Sequence, residues 1–238
     1  MHGASDCTMR DARVLEPISI LKGLAEAERA RLAADCRWRD VARGSEVLSA
    51  EAESAEVHFI VRGRVRVTFY APTGREVAFR DLSAGASFGE LAAIDGQARS
   101  ASVVALDDTT VGTLTRDRFW RLLRESPEVS ANVLLNLAAL VRDLTSRIVD
   151  TTVLTVPQRV RAEIVRLAGA TATKGKSALI QRAPTHAELA SQIGATREAV
   201  SRELSRMAGD GHVERRGRDL LVHDVASLRA SIDTLRDS

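Results

Sequence analysis

Phe88-Gly89-Glu90-Leu91 is followed, across a short gap, by Arg99-Ser100-Ala101. Glycine lets backbone N–H groups come close to a phosphate oxygen. A carboxylate such as that of Glu90 accepts hydrogen bonds from sugar hydroxyls. Arg99 presents a planar fork of donors that matches a phosphodiester, and Ser100 adds a hydroxyl. Each group alone is commonplace. Held at this spacing, Gly89, Glu90, Leu91, Arg99 and Ser100 form a set suited to a sugar phosphate.

A second polar set lies at Thr196, Arg197, Glu198, Ser201 and Arg202. Arginine pairs bidentately with guanine, glutamate accepts from cytosine N4, and serine reaches a base edge or a phosphate. These residues share one face of an expected helix, while Val200, Leu204 and Met207 share the other at spacings of four and three. The helix before it opens on a capping box, Thr185 to Glu188, and closes at Gly194; Thr196 caps the next. Two short helices joined by a glycine turn make a helix-turn-helix. A hairpin then turns at Gly217, so Arg215, Arg216 and Arg218 become candidate phosphate contacts on a wing. The alternative for the same arginines and glutamates is an exposed, ion-paired helix face.

The elements that must hold these groups follow from the apolar pattern. Residues 1–14 read as a tail, and 20–37 as a short helical segment. Strands are expected at 57–61, 65–70, 77–79, 101–105 and 110–114, with turns between them, which suggests a β-barrel or roll. A short helix fits 90–94. After Ser126-Pro127 a long helix runs to about 154, with Val133, Leu137, Leu140 and Leu144 spaced as a coiled-coil seam. Other apolar residues broaden the stripe, so one face is expected on the roll and the seam on a partner helix. Val156-Pro157 is read as a hinge before a helix over 157–168. The fold class is α+β, with a jelly-roll-like β-roll domain (15–125), a dimerisation helix (126–154) and a winged helix-turn-helix domain (155–238).

Composition narrows the function classes. The chain has 238 residues and a formal net charge of +2. Residues 1–155 hold 20 Lys and Arg against 22 Asp and Glu, and residues 156–238 hold 14 against 10, so the basic excess sits beside the second polar set. No apolar run approaches the ~18 residues of a membrane span, and the N-terminus lacks a signal-peptide pattern, so a cytoplasmic location is expected. Cys7 and Cys36 give neither a disulfide framework nor an iron–sulfur ligand set. His58 and His2 show no metal-ligand spacing, and His58 reads as a strand residue facing solvent. No Ser/His/Asp set and no P-loop is present, so an enzyme is not expected. His186-x-Glu188 lacks the cysteines of a zinc deaminase, and Glu188 is explained by the capping box.

The Phe-Gly-Glu-Leu-Ala and Arg-Ser-Ala segments resemble the phosphate-binding cassette of the cyclic-nucleotide-binding domain. With the winged helix-turn-helix, over about residues 18–225, the chain resembles the cyclic AMP receptor protein and FNR family of bacterial transcription regulators. The resemblance implies a phosphate held by Arg99 and Ser100, and a ribose hydroxyl held by Glu90 with the Gly89 backbone nearby. It implies a base contacted from the long helix at Leu144 and Thr145. Leu144 departs from the cyclic AMP pattern because it has no hydrogen-bonding group, and Ala52 stands where a turn glycine is usual. Cyclic AMP is the first expectation for the ligand and cyclic GMP the second, with no metal. The implied partners are double-stranded DNA at a TGTGA-like inverted repeat, a second copy of the chain through residues 129–153, and RNA polymerase if the protein activates. The loop at 173–181 is a candidate polymerase surface. Alternatives are a regulator answering to cyclic di-GMP, a ligand-independent one, or a nucleotide-regulated interaction subunit.

Overall fold

A computed structural model describes residues 12–70, 76–169 and 176–234. The chain divides into two compact units, 1–141 and 142–238.

In the first unit, short runs of β-branched and aromatic residues broken by glycine turns build two antiparallel sheets. One contains β1 (Arg37–Val41), β8 (Thr109–Leu114), β3 (Val57–Arg62) and β6 (Ser87–Phe88), in that order. The other contains β2 (Glu46–Leu48), β7 (Ser102–Ala105), β4 (Arg64–Tyr70) and β5 (Glu76–Ser83). Ile60, Val65, Val67, Phe88, Val103 and Val111 fill one core, contributed by both sheets. Successive side chains of a strand point to opposite faces, and β3 shows the consequence. Val57 and Phe59 enter a second core with Leu21, Leu32, Phe119, Val129 and Val133, which leaves His58 on the face of Ile60. His58 is therefore buried, 4% exposed, and does not face solvent as the sequence reading expected.

The expected helical segment over 20–37 is shorter than the pattern implied. Two 3-10 turns, Ala12–Leu15 and Ser19–Leu21, precede α1 (Glu26–Asp35). Gly23, at φ +90°, interrupts the run, because residues with a Cβ avoid that conformation. Of the expected tail, residues 1–11 lie outside the described residues, and 12–14 belong to the first 3-10 turn, which ends at the fully buried Leu15.

The short helix α2 (Glu90–Asp95) carries the first half of the cassette and is fixed from its far end. Arg116 Nε and Trp120 Nε1, both on α3 (Arg116–Glu125), donate to the Ala93 carbonyl at 2.9 Å each. The long helix α4 spans Pro127–Val153, and Val129 and Val133 bury its first turns against the unit's own core. No helix among the described residues is long and apolar enough to cross a membrane.

The second unit contains α5 (Val156–Gly169), β9 (Ala178–Ile180), α6 (His186–Ile193), α7 (Arg197–Gly209), β10 (Val213–Arg216), β11 (Asp219–Val222) and α8 (Val225–Thr234). The break expected at Val156-Pro157 falls just before it, at Leu154-Thr155, and Pro157 lies in the first turn of α5, where its missing N–H costs nothing. The last turns of α4 are bound to α5 by charge: Arg166 Nη2 reaches Asp150 at 2.6 Å and Arg147 Nη1 reaches Glu163 at 3.5 Å. Val160, Ile164, Leu189, Val200, Met207, Val213 and Leu228 form one core.

Candidate functional site

The cassette is built around a glycine. Gly89 adopts φ +84° at the N-cap of α2, and a Cβ there would stand 2.7 Å from Arg99 Nη1 and 2.8 Å from the Glu56 carbonyl oxygen. Only glycine admits both the conformation and that approach. Arg99 is 6% exposed. Its Nη1 donates to the Gly89 carbonyl at 2.9 Å, and its Nη2 donates to Ser54 Oγ at 3.0 Å and to the Glu56 carbonyl at 2.8 Å. Its Nε is buried without an acceptor.

Glu90 follows at the first position of α2 and is 4% exposed, with Oε2 accepting no hydrogen bond. Burial pushes its carboxyl above the ordinary value, against the pull of Arg80 and Arg99. A buried carboxylate oxygen left without a donor is costly. Gly89, Glu90 and Arg99 are thus brought together. Ser100 is exposed beside them, and Leu91 is 40% exposed on α2. Leu144 and Thr145 stand exposed on α4 in the second unit.

The first unit's own core takes up the start of the apolar stripe on α4. Val133 packs in the first unit's own core and Leu137 is partly buried against it. The exposed large apolar residues are Leu134 (67%), Leu135 (69%), Val141 (60%), Leu144 (37%), Ile148 (67%), Val149 (51%) and Val153 (54%), and among them Leu134, Val141 and Ile148 stand one heptad apart. Val133 and Leu137 thus pack within the first unit, while Leu144, further along the same helix, is exposed.

In the second unit Thr185 accepts from the Glu188 N–H while Glu188 accepts from the Thr185 N–H at 2.7 Å, completing the expected capping box. Gly194 closes α6 at φ +63°, and Thr196 Oγ1 accepts from the Ala199 N–H. Arg197, Glu198 and Arg202 are exposed and Ser201 is half-buried on α7. Neither Arg197 nor Arg202 makes an ion pair among the described residues. The opposite face of α7 is anchored by Glu203, whose Oε1 accepts from Arg161 Nε of α5 at 2.7 Å, both side chains being buried.

The wing departs from a uniform row of free arginines. Arg216 donates twice to Glu214, at 3.0 and 2.9 Å, and Arg215 Nε donates to the Gly217 carbonyl. Arg218 is exposed. His186, in the first turn of α6, was weighed from the sequence only as part of a deaminase motif and set aside. Its pKa is lowered first by burial and then by the nearby charges of Arg215 and Arg197. The available signal was a basic residue at the opening of the capping box, beside the helix that carries Arg197. The 173–181 surface begins outside the described residues, which resume at Lys176.

These two sites define a class: a nucleotide-binding β-roll joined by a long helix to a DNA-binding winged helix. The pattern of the cyclic nucleotide-binding domain matches residues 38–126, and that of the Crp-like helix-turn-helix domain matches residues 158–231. A CRP-like cAMP-activated global transcriptional regulator of Mycobacterium tuberculosis is 27% identical over 216 residues, 90% of this chain and 96% of its own. The cyclic AMP receptor protein of Thermus thermophilus is 30% identical over 172 residues, 72% of this chain and 77% of its own. Among solved structures, a CooA mutant from Carboxydothermus hydrogenoformans superposes with a TM-score of 0.73 at 24% identity, covering 84% of this chain and 88% of that one. The chain belongs to the cyclic AMP receptor protein and FNR family of transcription regulators.

Proposed function

We propose that the protein is a homodimeric regulator switched by cyclic AMP that reads an inverted repeat of TGTGA-like half-sites. The observation that carries the proposal is the pair of buried, incompletely satisfied groups on either side of Gly89. Glu90 Oε2 lacks a donor and Arg99 Nε lacks an acceptor, and a ribose hydroxyl and a cyclic phosphate supply those two partners. Arg99 and Ser100 hold the phosphate, Glu90 the ribose, and Thr145 with Leu144 faces the base. The second copy packs on the first through Leu134, Val141 and Ile148, within residues 129–153. Arg197, Glu198, Ser201 and Arg202 read base edges, Thr196 caps the reading helix, and Arg215 and Arg218 contact phosphates. Arg216 contributes less because Glu214 already neutralises it.

Nucleotide shifts the dimer toward the state whose two α7 helices match successive major grooves, and it does so only by binding that state better. Calorimetry with cyclic AMP and cyclic GMP, each with and without a TGTGA palindrome, tests this. Tighter cyclic AMP binding in the presence of the duplex is the expected result, by reciprocity. Failure of both nucleotides to bind would overturn the proposal. A preference for cyclic GMP is the second reading, because Leu144 offers neither base a hydrogen bond.

A further inference from the structure

A cavity of about 310 Å³ opens in the β-roll and is not bounded by Glu90, Arg99 or Ser100. Its volume reaches the range of small-molecule pockets, ~300–1,000 Å³. Arg37 and Arg39 of β1, Ser49, Ser54 and Glu56 of the β2–β3 connection, and His58 of β3 supply its polar wall. Val47, Leu48 and Ala52 supply an apolar one. We propose that this cavity is a second ligand site, for a small aliphatic monocarboxylate.

Charge sets the class of ligand. Two guanidiniums stand against one carboxylate, so the wall carries one uncompensated positive charge, and one carboxylate balances it. Arg39 Nη2 donates to the Val47 carbonyl, and its other N–H groups remain to grip an anion in the fork geometry guanidinium favours. Arg37 pairs with Glu56 at 3.1 Å while its side chain is 74% exposed. Such an exposed pair contributes little and is readily displaced.

His58 is the second observation. Its Nδ1 contacts Thr113 Oγ1 at 3.0 Å, its ring stacks on Phe88 at 4.8 Å, and its buried Nε2 has no partner. The ring and Thr113 both line the cavity, so an occupant lies against this pair, with Arg39 as its charged grip. Val47, Leu48 and Ala52 then face a short alkyl body. Inorganic phosphate, with close to two charges and no alkyl body, fits worse.

The cavity also touches the cassette's wall. Ser54 and Glu56 line it, and their hydroxyl and carbonyl are two of the acceptors that hold Arg99. An occupant therefore bears on Arg99 from behind. This coupling rests on the cyclic-nucleotide reading above, whereas the site itself does not.

The test is a titration of the full chain with sodium butyrate, followed by long-range ¹H–¹⁵N spectra of the histidine rings, with His58 assigned through His58→Gln. Ionic strength is held constant with sodium chloride. A saturable His58 shift with a dissociation constant on the order of 1 mM is expected, at least tenfold weaker for n-butanol and for inorganic phosphate. Arg39→Gln should weaken butyrate at least tenfold, and Ala52→Trp, which fills the mouth, should abolish the shift. Absence of a saturable shift would overturn the site, as would saturation unchanged in both Arg39→Gln and Ala52→Trp. With butyrate saturating, cyclic AMP affinity should move at least twofold; an unchanged value beside a saturable His58 shift would overturn the coupling alone.

Discussion

The cassette and the reading helix use the same residue types in opposite ways. Arg99 and Glu90 are buried and held from behind by backbone carbonyls, a hydroxyl and a glycine-permitted close approach. Arg197 and Arg202 are exposed on a helix whose other face is locked by Glu203. In the first region the site itself carries the cost of desolvated charge, so a ligand bound as proposed finds its partners already fixed. In the second the scaffold carries the order, and under the proposed reading the exposed side chains settle against DNA. The lesson is that preorganisation is needed where one small molecule must tip an equilibrium. It is not needed where a large polyanion supplies many contacts.

The sharpest way to break this contrast is at Arg99. Arg99→Ala should lower cyclic AMP affinity by ~2–5 kcal/mol, since it strips a buried, hydrogen-bonded partner from a charge. Calorimetry checks this, and a loss below tenfold would place the phosphate elsewhere. Arg202→Ala comes next: it should cost ~1–3 kcal/mol of specific DNA binding and relax one position of the half-site, with nucleotide affinity unchanged. A footprint identical to that of the parent would remove Arg202 from the reading set.

His58 gives a similar-sized effect of a different kind. Burial foremost, with Arg99, Arg39 and Arg37 adding to it, lowers its pKa from 6.5 to about 3. As pH falls below 6.5 the unfolded chain takes up a proton that the folded chain refuses, so stability falls until about pH 3. At pH 5 the loss is ~2 kcal/mol. Glu90, with its raised pKa, contributes with the opposite sign: its protonated form is favoured by folding, so it adds stability as pH falls. Urea unfolding of the parent and His58→Gln between pH 7 and 5 isolates the histidine part, and parallel pH profiles would refute it. The smallest effect is on the wing. Arg218→Ala should reduce the salt slope of DNA binding by about 1, and Arg216→Ala by less than half of that, because Glu214 already engages it. Equal slopes for the two variants would mean that the pair opens on DNA.

Both motifs were legible in the sequence because each is contiguous and depends on spacing. The capping box at Thr185 and the turns at Gly194 and Gly217 carry their own local physics, so the helix-turn-helix and hairpin could be read in place. The strand β1, Arg-Trp-Arg-Asp-Val, could not, because an edge strand wears charges that look like a loop. The helix α3 was passed over although Phe119, Trp120, Leu122 and Leu123 recur at helical spacing; its many charges masked a face that was there to be read. The phase of α4 was ambiguous because apolar residues lie on several of its sides. What the roll covers decides which side remains, and that is tertiary information. His58 failed on parity: one residue of register reverses a strand's faces.

The buried Arg161–Glu203 clip has a practical meaning for rewriting the regulator. It fixes α7 from behind, through a residue that lies one position beyond Arg202 yet faces away from it. Positions 197, 198, 201 and 202 can therefore be exchanged as a block, with Arg161, Glu203 and Met207 left in place. A library of altered operators and altered helices could be paired on one unchanged chassis.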